Sequence, residues 1–142
     1  MQVAQTGVAG GNLKLSAMKF QPDTLAGTNT ITRFDGQRLW VGSALQGGSV
    51  LVPWVGAVEP WPLGSAAELT AAHLERIVAL KPEVVIYGSG PRLVFPSAAL
   101  TRVLFERRIG LETMDTAAAC RTYNVLASEG RSVVAALILP SA

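Results

Sequence analysis

Two short loops carry the residue types that could bind a ligand. The first, Gly88-Ser89-Gly90-Pro91-Arg92, follows an apolar run, and the second, Met114-Asp115-Thr116, opens a helix-forming stretch. Because loops at the carboxyl ends of parallel strands line one crevice, we predict that the two loops meet and form a candidate ligand crevice. The predicted crevice residues are Gly88, Ser89, Gly90, Arg92, Asp115, Thr116 and Asn124.

The glycine loop matches a dinucleotide-binding fingerprint only in part. The third glycine of the G-x-G-x-x-G pattern falls at Leu93, and Pro91 lacks the amide proton that could hold a phosphate. We therefore interpret the loop as a tight turn that uses the backbone freedom of glycine. Nucleotide binding is the less favoured alternative, and no cofactor is predicted.

Asp115 has two interpretations. As the N-cap of a helix it accepts backbone hydrogen bonds, and this structural role is favoured. As a functional group it is a carboxylate at the mouth of the crevice, with Arg92 as charge partner and Thr116 as hydrogen-bond donor. Asn124 falls on the same helix; a buried asparagine needs several hydrogen bonds and would lock the helix to a neighbouring loop.

The sequence offers no recognisable catalytic constellation. No histidine lies near the two loops, and the sequence contains no catalytic triad, metal-ligand cluster or paired carboxylates of a recognisable spacing. The lone helical His73 is interpreted as a surface residue. We therefore predict no catalytic residues and no metal site.

The strand that leads into the glycine loop is the expected centre of the fold. Val84–Tyr87 is a β-branched and aromatic run of the kind found in strands buried on both faces. Helices and strands alternate around it, and right-handed crossovers would place the helices against the sheet. We predict a helix opened by the capping box Ser65–Glu68, a helix beginning at Pro96, a strand at Leu111–Met114, a helix over Thr116–Ser128 and a strand at Ser132–Leu139.

The first half of the chain has a different pattern. Asp35-Gly36, flanked by strand-forming residues, predicts a β-hairpin, and a third strand is expected at Ser49–Val52. The proline-rich stretch that follows contains Trp54 and Trp61. These tryptophans either cover the sheet, which we favour, or form a candidate interaction surface for a partner.

Composition limits the classes of function. The 142 residues predict a mobile leader over residues 1–12 and one globular domain over residues 13–142. The net charge of +2, with Arg102, Arg107 and Arg108 as the only local cluster, does not favour a nucleic-acid partner. No apolar run reaches the roughly 18–20 residues of a membrane-spanning helix.

The single cysteine and the first residues bear on the compartment. Cys120 excludes an intramolecular disulfide, and among the alanines of a helix it is interpreted as a small buried hydrophobe. Residues 1–11 lack a basic segment followed by an apolar core, and the first arginine is Arg33. We therefore predict no targeting signal and a cytoplasmic location.

Three stretches of the second half resemble a known family. They are YGSGP (Tyr87–Pro91), ETMDTAAACRTYNVLASEGR (Glu112–Arg131) and VVAALIL (Val133–Leu139). They are similar to the domain designated domain of unknown function 498. That domain is shared by bacterial and archaeal proteins, the adipogenesis-associated animal protein and a mitochondrial assembly factor for respiratory complex I. The similarity covers most of the chain from about Asn29, with Met114-Asp115-Thr116 in its most specific part.

The resemblance and the residue pattern agree on the fold. The expected class is α/β, a three-layer β+α/β/α domain with a central mixed, mostly parallel sheet, flanking helices and an N-terminal antiparallel hairpin. The resemblance implies no catalytic mechanism. We predict a non-enzymatic protein-interaction or assembly-factor-like domain with a protein partner, linked to respiratory complex assembly. The alternative is a small-molecule binder or an enzyme that uses the crevice.

Overall fold

The structure, a computed structural model, describes residues 27–140. The leader predicted over residues 1–12 and the beginning of the domain predicted over residues 13–142 lie outside the described residues. The helices are α1 (Ala71–Ala79), α2 (Ala98–Phe105) and α3 (Thr116–Ser128), with a 3-10 helix at Ala66–Glu68. The strands are β1 (Ile31–Phe34), β2 (Leu39–Val41), β3 (Ala44–Gln46), β4 (Val50–Pro53), β5 (Glu59–Pro60), β6 (Val84–Gly88), β7 (Gly110–Met114) and β8 (Val133–Leu137).

The main sheet has five strands in the order β5-β4-β8-β6-β7. Strands β8, β6 and β7 are parallel, whereas β4 is antiparallel to β8 and β5 is antiparallel to β4. This confirms a mixed sheet with helical crossovers between its parallel strands. The middle position belongs to β8, the last of the described strands, and not to β6, which was expected at the centre and lies beside β8. Every residue of β4, β6 and β8 is buried, as expected of strands covered on both faces.

The hairpin sheet consists of β1, β2 and β3 in sequence order, all antiparallel. The predicted turn at Asp35-Gly36 is confirmed, with Gly36 at φ +100°. The Asp35 carboxylate accepts hydrogen bonds from the amides of Gln37 and Arg38 at 3.0 and 2.7 Å. These bonds hold the turn in place. The strand β3 was not among the predicted elements.

Two apolar cores lie on opposite faces of the main sheet. On one face, α3 and the hairpin sheet cover Val84 and Ile86 of β6. On the other face, α1 and α2 cover Val85 and Tyr87 of the same strand. Alternate side chains of β6 thus belong to different cores, because successive side chains of a strand point to opposite faces. The result is the predicted three-layer arrangement.

Two helix starts differ from the prediction. Helix α1 begins at Ala71, where Thr70 and His73 form a reciprocal cap: the His73 amide donates to Thr70 Oγ1, and the Thr70 amide donates to His73 Nδ1. Ser65 makes no side-chain cap bond, and the Glu68 carboxylate accepts from the Gly64 amide. Helix α2 begins after its N-cap Ser97 rather than at Pro96.

Candidate functional site

Thr116 joins the two loops that were predicted to meet. The Gly90 amide donates to Thr116 Oγ1 at 2.9 Å, and the Thr116 amide donates to the Gly90 carbonyl at 2.9 Å. The Thr116 hydroxyl in turn donates to the Ile138 carbonyl at 2.8 Å. The side chain is only 2% exposed. Its hydroxyl is therefore engaged in tying the ends of β6 and β8 to α3, and it is not presented to a ligand.

The two glycines of the loop serve different geometric needs. A Cβ at Gly88 would lie 2.9 Å from Thr116 Cα and 3.0 Å from Ala119 Cβ, so the close approach of α3 to β6 requires glycine. Gly90 has φ +108°, a conformation that other residues rarely adopt. The loop is thus a turn of the kind interpreted from the sequence.

Ser89 and Asp115 also hold the local backbone. The Ser89 hydroxyl donates to the Arg92 carbonyl at 2.6 Å and accepts from the Val94 amide at 2.9 Å. Asp115 is the N-cap of α3, and its carboxylate accepts from the Ala118 amide at 2.9 Å. Among residues 27–140, the ion pairs join other side chains, so the considered pairing of Arg92 with Asp115 is not formed.

A cleft of about 660 Å³ opens at the carboxyl ends of β6 and β8. One wall consists of Ser89, Gly90, Pro91 and Arg92 of the glycine loop, together with Val94. The other walls are residues 64–67, Ile138 and Pro140. Serine hydroxyls and one exposed guanidinium are the polar side chains of this lining. Asp115, Thr116 and Asn124 are not part of it, so the predicted crevice residues do not form one site.

Asn124 lies about two turns further along α3, against the hairpin sheet. Its side chain accepts from the Ile31 amide at 3.0 Å and donates to the Ile31 carbonyl at 2.8 Å. With Cys120 and Arg33 it borders a separate hollow of about 310 Å³. Asn124 was expected to lock the helix to a neighbouring loop; it does lock the helix, but to the strand β1, in a structural contact remote from the glycine loop.

Both tryptophans pack on the sheet, Trp61 within one core and Trp54 at the border of the other. Trp61 is 1% exposed, and its indole N–H donates to the His73 carbonyl at 3.1 Å. Trp54 is half-buried, and its N–H donates to the Ala127 carbonyl at 3.1 Å. The prediction that Trp61 belongs to an interaction surface is therefore wrong. In a small domain, a large aromatic side chain contributes most to stability when it is buried. The His73 ring also makes local contacts: it accepts a hydrogen bond from the Thr70 amide and packs at nearly a right angle to the Trp61 ring.

A group of exposed apolar residues was not predicted from the sequence. Leu93, Val94 and Phe95, here called the apolar loop, are 52%, 45% and 71% exposed. The signal was present as three consecutive large apolar residues between Pro91 and Pro96, where neither helix nor strand periodicity explains them. Such a run on a folded surface is typical of a binding site.

Nucleophilic and metal chemistry has little support among residues 27–140. Cys120 is buried, and burial raises the pKa of its thiol to about 12, which keeps it protonated. Burial also raises the pKa of Tyr87 to about 12. No group of three or more His, Cys, Asp or Glu side chains is arranged to hold a metal ion within this range. Within the same residues, no helix combines the length and apolar character needed to cross a membrane.

Comparison with known families gives one match over most of the chain. The model described as "Protein of unknown function (DUF498/DUF598)" matches residues 30–138. Among curated proteins, the chain is 38% identical over 88 residues to "NADH dehydrogenase (ubiquinone) 1 alpha subcomplex assembly factor 3" of Danio rerio, which is 61% of this chain and 51% of that protein. The chain thus spans about half the length of the curated relatives it matches.

Solved structures share the fold. A crystal structure from Bordetella parapertussis is 35% identical with a TM-score of 0.76, and the match covers 83% of this chain and 99% of that one. An NMR structure from Xanthomonas campestris is 38% identical with a TM-score of 0.70, covering 88% and 92%.

Proposed function

This chain belongs to the family described as protein of unknown function (DUF498/DUF598), and from that premise we propose that it is a protein-binding domain of the assembly-factor type. Its binding surface is the apolar loop, Leu93–Phe95, together with the cleft beside it. The observation that carries the proposal is the exposure of three consecutive large apolar side chains in a loop that the Ser89 hydroxyl holds by a hydrogen bond.

The conformation of the loop supports this assignment. The Ser89 hydroxyl accepts from the Val94 amide and donates to the Arg92 carbonyl, so the backbone on both sides of Leu93 is fixed. Prolines at positions 91 and 96 restrict it further. A surface that is already ordered loses little conformational entropy when it binds, which favours affinity per contact.

The engagement of the polar groups argues for binding over catalysis. Thr116, Ser89 and Asp115 follow the ends of the parallel strands, and each side chain is hydrogen-bonded to backbone. Within residues 27–140, the cleft lining contains no carboxylate, imidazole or thiol that could act as a base or a nucleophile. Its apolar surface and adjoining loop are better suited to a partner's side chains.

The names of the curated relatives suggest which kind of protein partner this chain binds. Several of them are named assembly factors of NADH dehydrogenase (ubiquinone), at 33–38% identity over the matched region. We extend that role to this chain as follows: it binds a protein subunit during assembly of a respiratory complex. The family relation supports a protein partner.

The test compares two exposed phenylalanines. Phe95 is 71% exposed in the apolar loop, and Phe105 is 58% exposed at the end of α2. Tagged wild-type, Phe95→Ser and Phe105→Ser proteins would be used to capture partners from the host, followed by mass spectrometry. We expect respiratory-complex subunits with the wild type and Phe105→Ser, and their loss with Phe95→Ser. Equal capture by all three proteins would remove the loop from the proposal.

A second candidate is binding of a small anionic molecule in the cleft. The volume of about 660 Å³ lies in the range of ligand pockets, and Arg92 is the one charged side chain among the described residues that line it. A thermal-shift screen of metabolites, repeated with Arg92→Ala, tests it. A ligand that stabilises the wild type and not Arg92→Ala supports this function, and the absence of any stabilising metabolite counts against it.

A further inference from the structure

We propose that the outer edge of β7 binds an extended segment of a protein partner, which adds to the main sheet as a further strand. The inference deepens the proposed function, on which it rests for the existence of a protein partner. It concerns a different surface from the apolar loop, namely the backbone groups of Leu111 and Thr113. Among the described strands, β7 has a neighbour on one side only.

The hydrogen bonds between β6 and β7 determine which backbone groups of β7 point away from the sheet. The Gly110 amide donates to the Glu83 carbonyl at 3.0 Å, and the Met114 carbonyl accepts from the Ser89 amide at 2.9 Å. Both ends of β7 therefore bond toward β6. Because bonding direction alternates along a strand, residue 112 also faces β6, whereas the amides and carbonyls of Leu111 and Thr113 face away from it.

The two edges of the sheet are built differently. The opposite edge strand, β5, has two residues and ends in Pro60, which lacks an amide proton. Such short, proline-containing edges resist pairing with other chains. By contrast, β7 has five residues, contains no proline or lysine, and keeps an unbroken register with β6 from Gly110 to Met114. Among the described residues, one edge is thus protected, and the other has no strand beside it.

Charge selects the occupant. Leu111 and Met114 pack against the two cores, so Glu112 is the exposed side chain in the middle of the edge. If two copies paired antiparallel through Leu111 and Thr113, each Glu112 would face its counterpart, with Cβ atoms about 5 Å apart, and the like charges would repel. A foreign strand with lysine or arginine opposite Glu112 meets a complementary charge instead. The structure thus favours a basic extended segment over a second copy.

The test selects binders from a display library of random peptides of about seven residues. The targets are wild type, Thr113→Pro, Thr113→Val and Glu112→Lys. Proline at 113 removes an outward amide without touching the bonds to β6, and valine keeps that amide while removing the hydroxyl. We expect wild type and Thr113→Val to select peptides with a basic residue at one fixed position, Glu112→Lys to select acidic residues there, and Thr113→Pro to bind the selected peptides at least about tenfold more weakly.

Hydrogen exchange makes the outcome independent of the proline variant. A selected peptide should slow exchange at the Leu111 and Thr113 amides of the wild type. Selected peptides that protect neither amide, or a library that yields no charge-dependent binder, would overturn the proposal. A dimer in sedimentation that Thr113→Pro dissociates would show that a second copy takes the edge, and would also overturn it. Phe95→Ser serves to separate the two proposals, since it should leave peptide binding at β7 unchanged.

Discussion

Asn124 takes the place of a neighbouring strand for Ile31, by accepting from its amide at 3.0 Å and donating to its carbonyl at 2.8 Å. One side chain of α3 thereby satisfies both backbone groups of a residue in β1. The pairing crosses two layers of the domain, and it fixes the hairpin sheet against the helix. Ile31 is 6% exposed, so water does not readily replace this partner.

Replacing Asn124 should loosen the hairpin sheet. The variant Asn124→Leu leaves the Ile31 amide and carbonyl without partners, and we expect a loss of about 1–3 kcal/mol in the free energy of unfolding. Urea denaturation measures the loss, and faster hydrogen exchange at Ile31 localises it. Val125→Ala, at an exposed position of the same helix, is the control. Equal stability of the two variants would contradict the assigned role.

Gly88 should tolerate no side chain. In Gly88→Ala the new methyl group meets Thr116 Cα at 2.9 Å and Ala119 Cβ at 3.0 Å, and neither atom can move without shifting α3. Overpacking of this kind costs about 1–3 kcal/mol. Gly47→Ala, where the added Cβ meets nothing within 4 Å, is the matched control. Thermal unfolding of both variants tests the expectation, and an unchanged midpoint for Gly88→Ala would disprove the close approach.

Asp35 should make the hairpin sensitive to acid. The amides of Arg38 and Gln37 donate to its carboxylate and lower its pKa from 3.8 to about 2. Because the folded pKa is the lower one, the stabilisation is complete above about pH 4 and is lost as the pH falls toward 2. The stability difference between wild type and Asp35→Asn should therefore shrink over that interval, as followed by urea unfolding at several pH values. A constant difference would mean that Asp35 does not titrate in this range.

Cys120 should be unreactive while the protein is folded. Burial raises the pKa of its thiol from 9.0 to about 12, which lowers the thiolate fraction at pH 8 by about three orders of magnitude. Labelling with a thiol reagent should follow global unfolding and accelerate in urea. The variant Cys120→Ser/Val125→Cys, with its thiol at an exposed position, should react at once in the native state. Rapid native labelling of Cys120 would contradict its burial.

Local sequence signals predicted most of the elements. Asp35-Gly36 and Asp115 act on their immediate neighbours, so the hairpin and the start of α3 follow from sequence alone. The start of α1 was misplaced because Ser65–Glu68 and Thr70–His73 both fit a capping pattern. The second pair prevailed where His73 could also bond to the Pro62 carbonyl and pack on Trp61, contacts that only the folded chain provides.

The candidate site was harder to predict because it depends on contacts between distant segments. Thr116 and Asn124 are eight positions apart on one helix, which separates them by about 12 Å along the axis and by about 80° around it. Which direction faces the glycine loop depends on how α3 packs, and that is set by Gly88 and the hairpin sheet. The exposure of Phe95 was also not predictable from the sequence, since a run of apolar residues does not show whether another element covers it.

The position of β8 has a consequence for synthesis of the protein. This strand lies between β4 and β6, yet it is the last of the described strands to leave the ribosome. Until Val133–Leu137 has emerged, β4 and β6 have no shared neighbour, and the backbone N–H and C=O groups along their facing edges stay unpaired. Such long-range closure slows folding and leaves a nascent chain prone to association. A molecular chaperone that holds the emerging chain would therefore act mainly before this final strand inserts.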